Sequence, residues 1–260
     1  MTHQEIINRV CWKDLTKLTK WERFVEGNVT VPWLATSLIF AWYELYWLAL
    51  PFSFYYFLAG LRQVHNGFHN SLGVGKRVVW FVLFSNSVLM LASMHAVKFN
   101  HLRHHKYCLE ENDYEGKVAK LKWFHALLYG PIHVFLIHYH TFRIGNKSYR
   151  RNVSIELIAI TIFITITWYF QIHFLMYHII AMITGELLSA FFAVWTVHHD
   201  AEDLFMQTRT QHTKWKNRIT LNMFYHLEHH MFPAVPAIKL PQLASRLDQA
   251  IPEIKKKSTF

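Results

Sequence analysis

The chain has 260 residues, 52% hydrophobic and 17% aromatic, with 17% charged against about 25% in an average soluble protein. Two cysteines, Cys11 and Cys108, exclude a disulfide scaffold and a self-contained iron–sulfur cluster, and no Gly-rich dinucleotide fingerprint or phosphate loop occurs. The net charge of +10 fits an anionic membrane surface at least as well as nucleic acid, and long uncharged runs decide for the membrane, with no nucleic-acid partner expected.

In chain order, residues 1–28 are polar and basic (Arg9, Lys13, Lys17, Lys20, Arg23), an amphipathic cytoplasmic segment rather than a cleavable signal. Lysine and arginine are then absent between Arg23 and Arg62, and again between Arg151 and Arg209. Each gap has room for two helices of near-minimal spanning length. The positive-inside rule therefore predicts two transmembrane hairpins, with spans at 29–46, 48–64, 153–170 and 179–197. Their turns fall near AWYELYW and WYFQIHFLMYH, whose Trp and Tyr suit the far interface. Between the hairpins, apolar runs at 78–97 and 123–139 are basic on both flanks. They are interrupted by Ser85-Asn86-Ser87 and by Pro131, and read as interfacial or re-entrant helices. The expected fold is all-α and integral to the membrane: four spans, interfacial helices, both termini cytoplasmic. One domain covers 29–252, followed by a basic tail at 253–260.

Three histidine clusters punctuate this plan. His65 and His69 stand in HNGFH, His101, His104 and His105 in HLRHH, and His226, His229 and His230 in HLEHH. Offsets of three and four bring side chains to one helical face, where imidazoles can converge on a metal. A further pair, His198 and His199 in TVHHD, ends the fourth predicted span. All four groups fall on the predicted cytoplasmic side, a placement that comes from the cations and not from the histidines. Eight box histidines and one of the pair supply nine nitrogens. One zinc takes about four ligands, so nine suit two metals, with His198 and His199 both open as the ninth.

HxxxH, HxxHH and a late HxxHH before a Pro-rich tail, in YHLEHHMFPAVP and the following LPQL, resemble the membrane fatty acid desaturase superfamily, which also holds hydroxylases and ketolases. The likeness runs from about residue 29 to 252. It implies a non-haem di-iron centre under a cytoplasmic cap, O2 as co-substrate and oxidation of a lipid acyl chain. The ligands it implies are His65, His69, His101, His104, His105, His226, His229 and His230, with His199 matching an additional ligand placed before the final box. Desaturation is the leading expectation, and lipid or carotenoid hydroxylation or ketolation the alternative. Asn66 and Asn70 stand where many members have Asp and Gly. No cytochrome b5-like domain is fused within these residues, so electrons are expected from a separate ferredoxin or cytochrome b5 type of protein. Whether the acyl group rides on lipid, CoA or carrier protein is open. Zinc can displace iron in recombinant material, since affinity orders do not favour iron.

A divalent-metal transporter is the reading from another class, but its ligands belong near the membrane midplane and these boxes lie outside the spans. Around the boxes, the acidic run EENDYE (110–115) is a solvated loop or a source of bonds to ligand imidazoles, with Asp113 the best candidate. Glu228 has the same two options, and Asn222 is placed to bond a metal-bound water. Glu186, an acid within the fourth span, either faces a substrate tunnel or bonds a neighbouring helix. His95, His125, His133, His138 and His140 lack the box spacing and read as interfacial surface. Glu44, in the far turn, reads the same way.

Overall fold

A computed structural model of the chain describes residues 2–259, and these contain helices and turns but no strand. The first helices are α1 (His3–Arg9) and α2 (Lys20–Asn28), each opened by a Thr–Glu capping box. The latter runs on into α3 (Val31–Trp42), with Pro32 in its first turn, where a missing N–H costs nothing. A tight turn with Glu44 at φ 59° leads into α4 (Tyr46–Phe68). Then come α5 (Lys76–Met90), α6 (Met94–Tyr107), α7 (Trp123–Leu128) and α8 (Gly130–Ile144). The second hairpin is α9 (Lys147–Tyr169), turned at Gln171 (φ 52°) into α10 (His173–Ser189). Ala190–Trp195 form a π-helical turn that continues into α11 (Thr196–His198). Three short helices close the chain: α12 (Lys214–Ile219), α13 (His226–Met231) and α14 (Leu240–Ala250).

Among the described residues, three helical stretches are long and apolar enough to cross a membrane: Lys20–Trp42, Lys147–Tyr169 and His173–His198. The helix α4 has the length, 23 residues, but its last turns carry Arg62, Gln63, His65 and Asn66. The α5–α6 pair passes the same test as one unit bent by 110°. Its corner lies at Leu91–Ser93, and not at Ser85-Asn86-Ser87. The two buried members stay helical because each is satisfied in place: Asn86 Nδ2 donates to Gln63 Oε1 (2.9 Å), and Ser87 Oγ donates to Leu83 O and accepts from Met94 N. The corner itself uses Leu91 at φ 65° and Ser93, which caps α6 and bonds the buried Glu156 of α9. Pro131 interrupts nothing; it sits in the first turn of α8.

Packing joins the two hairpins. Ser37 of α3, Ser53 of α4 and Tyr177 of α10 form one hydroxyl chain at 2.7 and 3.0 Å. A core of Tyr56, Phe57, Val64, Phe68, Leu83, Met90 and Met182 ties α4 to α5 and α10. At the other end, Ile6, Val10 and Leu15 from the first residues pack with Leu227, Met231, Phe232, Leu243 and Leu247. The N-terminal segment therefore forms part of the core around α13 and α14. Burial of such side chains contributes roughly 1.5–3 kcal/mol each.

The start of α8 lies against the backbone of α10: a Cβ on Gly130 would stand 1.8 Å from Leu187 O, which cannot move aside alone. Gly130→Ala is expected to cost at least the roughly 1–3 kcal/mol of an overpacked core site. An unchanged thermal unfolding midpoint in detergent would show that α8 does not rest on α10 in this way.

Candidate metal centre

The box histidines meet where α4, α6 and α11 end, and α13 lies across them. They form two groups. His65, His69, His101, His105 and His229 make one; His104, His198, His226 and His230 make the other. Within each group the candidate ligand atoms all lie within 4.8 Å of one another. The convergence is nitrogen to nitrogen: Nε2 of His101 is 3.1 Å from that of His69 and of His105, and His229 Nε2 is 2.9 Å from His105 Nε2. In the second group His198 Nε2 lies 2.9 Å from Nε2 of both His104 and His226. The four-histidine group is fully buried, whereas three members of the five-histidine group are half-buried.

The far side of several rings is held as well. His104 Nδ1 donates to Asp113 Oδ2 at 2.7 Å, and His101 Nδ1 to Glu115 Oε1 at 2.9 Å. His198 Nδ1 donates to Gln207 O at 2.8 Å. Because an oxygen accepts at Nδ1, the hydrogen sits there and the Nε2 lone pair faces the centre of the group. Burial alone would raise the Asp113 carboxyl. The His104 bond and charge, with N–H groups of Gly116 and Leu109, outweigh it and bring the pKa to about 2. The same partner raises His104 above its ordinary value against the opposing effect of burial. Burial lowers His105, His226, His229 and His230 well below theirs, reinforced by neighbouring imidazoles.

These residues fit a metal. Their candidate donors are all imidazole nitrogens, which coordinate in the neutral form, and both ring nitrogens of buried His230 are left without a partner. Five convergent imidazoles also exceed the four of a tetrahedral zinc site, which favours a metal of higher coordination number.

The structure sorts the neighbours. His198, and not His199, completes the second group. His199 turns away: its ring stacks on Trp195 (3.8 Å, 3°), and its Nδ1 donates to Trp195 O at 2.8 Å. The cause is the π turn just before, which shifts the helical phase relative to an α-helix, and the chain leaves the helix at His199 itself (ψ 142°). Asp113 bonds a box imidazole. Glu228 does not; its carboxylate binds Thr210 Oγ1 and His212 Nε2, both at 2.6 Å. Asn222 is a turn residue at φ 65° whose Nδ2 donates to Ala237 O, so its amide is engaged away from the imidazoles. His125 is exposed, but His95, His133 and His140 are buried and His138 half-buried, and none is surface. His95 is bound to Glu156 (2.6 Å), His138 accepts from Ser93 N, and His140 pairs with Asn100 (2.8 Å). Glu186 is half-buried, with Oε1 unpaired. Glu115, in the same acidic run, bonds His101 as well, and the carbonyl of Gln207 leaves no trace in a sequence.

Paired imidazole groups that could each hold a metal, at the end of helices long and apolar enough to cross a membrane, are the class of site this fold defines. The sequence pattern of the family described as Fatty acid desaturase matches residues 41–258, and the chain belongs to that family, one of desaturase and hydroxylase enzymes. None of the curated proteins compared with it matches.

Two outcomes follow from the geometry. His198→Ala is expected to lower the metal content of purified protein by about half, one site of two, while His199→Ala leaves it unchanged; the reverse pattern would restore His199 as the ligand. For metal-free protein, His105, His226, His229 and His230 bind protons less readily folded than unfolded. Their stabilisation is full above the ordinary histidine value of about 6.5 and is lost as pH falls towards their lowered folded values, with His104 opposing among the clustered histidines. The unfolding midpoint should therefore fall between pH 7.5 and 5.5 (a window of roughly one unit on either side of that value), and a rise would contradict the assignment.

Proposed function

We propose that the chain is an O2-dependent fatty acyl desaturase that uses two iron ions, drawing electrons from a separate ferredoxin or cytochrome b5 type of protein. One observation carries the reading: the imidazole groups stand at the head of an apolar cavity of about 970 Å³ between α4 and α10. His65, His101, His104, His198 and His226 line its head, and Leu50, Ser53 and Tyr177 its foot. From His65 to Leu50 along α4 is roughly 22 Å at about 1.5 Å per residue, long enough for an acyl chain. The wall between is almost wholly hydrocarbon and aromatic, including Phe57, Leu61, Ile180 and Val194. Leu50, Phe54 and Ile180 both line the cavity and are exposed, which supports sideways entry of a lipid chain from the bilayer.

Bound iron would supply the redox chemistry that side chains lack, oxidation of an unactivated C–H bond with O2. The protein's own residues do the rest. Asp113 and Glu115 keep the Nδ1 hydrogens of His104 and His101 in place, so that their Nε2 lone pairs face inward. The apolar wall excludes water and fixes which carbon lies under the imidazoles. That placement decides between removing a second hydrogen and returning oxygen to carbon, a matter of about an ångström. Both hairpin turns, rich in exposed Trp and Tyr, lie opposite the histidines. With the basic residues gathered on the histidine side, this supports a multi-pass topology with both termini and the metal site in the cytoplasm.

Expression of the chain should convert a host acyl lipid to a product lacking two hydrogens, and the product should disappear when O2 or reductant is withheld. A product that gains one oxygen would instead make it a hydroxylase. Cation flux into liposomes with no redox turnover would overturn the enzyme reading.

A further inference from the structure

We propose that Asn66 is the positioning residue of the five-histidine group, and that it must be an amide because Glu26 already holds the negative charge of its site. The inference rests on the metal-binding reading above. Asn66 lies on α4 between His65 and His69, facing α2. Its Nδ2 donates to Glu26 Oε2 at 2.8 Å, and its Oδ1 accepts from Ala237 N at 3.0 Å. Glu26 is fully buried and is paired with Arg62, one turn before Asn66, through Nε (3.2 Å) and Nη2. Arg62 Nη1 in turn donates to Leu221 O at 3.1 Å. Gln63 Nε2 fixes the same corner by donating to Glu26 O and Gly27 O.

Leu221 and Ala237 stand on either side of HLEHH. One buried cluster on α4 thus grips the chain just before and just after the third box. His65 and His69 come from α4 and His229 from the third box, so the five-histidine group is built across the interface that the cluster clamps. The four-histidine group takes nothing from α4. Its geometry does not depend on this contact in the same way.

The donor count makes the residue type specific. An amide offers a donor towards Glu26 and an acceptor towards Ala237, whereas a carboxylate only accepts. Asp at this position would set two buried carboxylates 2.8 Å apart against one guanidinium. Glu26→Gln alone would leave Arg62 buried without its counter-ion, the costly way to break such a pair. Together, Asn66→Asp and Glu26→Gln restore a donor–acceptor pair between the two positions and one negative charge, moved from α2 to α4, at the cost of the Arg62 Nε bond to the same oxygen.

The test is a double-mutant cycle on detergent-purified protein, reading iron per chain after reconstitution and the unfolding midpoint of metal-free protein. Asn66→Asp should drop iron from about two per chain to about one, since the second site is a complete tetradentate set, and should lower the midpoint. Glu26→Gln should lower the midpoint too. The double variant should regain iron and midpoint beyond either single variant. Native values in Asn66→Asp, equal loss of both irons in a folded Asn66→Asp protein, or a double variant no better than the singles would overturn the proposal. Absence of iron from the native chain would count against the enzyme reading instead, while the metal-free midpoints still decide whether the cluster is a coupled clamp.

Discussion

Nine imidazoles can be held nitrogen to nitrogen only while almost none of them carries a charge. Two charges about 4 Å apart repel by roughly 4 kcal/mol even at an effective dielectric constant of 20, and the ring nitrogens here approach to 2.9–3.1 Å. The rest of the structure follows from meeting that condition. Burial removes the water that would stabilise protonated rings, and rigid helices supply the close approach. Oxygen acceptors wait on the Nδ1 side, where they fix the tautomer without entering the centre. The acids are placed accordingly. Asp113 and Glu115 lie behind rings, and Glu26, Glu156 and Glu228 are each satisfied elsewhere.

The same helices that end in histidine are apolar along most of their length, which joins the centre to a hydrocarbon-lined space without a boundary of polar residues. On α4 the change takes place within two turns, from Leu58 and Leu61 to Arg62, Gln63, His65 and Asn66. Every polar member of that last stretch outside the metal group is paired with another element, so the end of α4 stays rigid although it is the least apolar part of a long helix. On the opposite wall the π turn does comparable work. It widens the helix beside the cavity and sets the phase at which His198 arrives.

What could be seen in the sequence was what depends on spacing and charge. Offsets of three and four named eight of the nine clustered histidines, and the two cation-free gaps placed the hairpin turns within a few residues of Glu44 and Gln171. What could not be seen depends on packing. An α-helical phase cannot separate His198 from His199, because the deciding extra residue is absorbed by a π turn whose sequence, AFFAVW, carries no signal. Ser85-Asn86-Ser87 reads as a break because polar residues in an apolar run are costly when unpaired; Gln63 pairs Asn86 from another helix, and Met94 pairs Ser87 from beyond the corner. His95 and His140 looked like surface for the same reason, since nothing local announces Glu156 or Asn100 as partners.

The division of the boxes explains why two of them have three histidines and the first has two. At about 100° per residue, position i+4 stands roughly 40° to one side of position i, and position i+3 roughly 60° to the other. Three imidazoles so spread cannot all aim at one point. In HLRHH the outer pair, His101 and His105, serves the five-histidine group and His104 the other. In HLEHH the assignment is reversed: His226 and His230 serve the four-histidine group, and His229 crosses to the first. Each triple box therefore straddles both groups and sets their separation, while HNGFH, with only the i and i+4 pair, belongs wholly to one. A helix bearing only such a pair cannot link the groups, so its position must come from contacts outside them, and those contacts are the ones that Asn66, Arg62 and Glu26 supply.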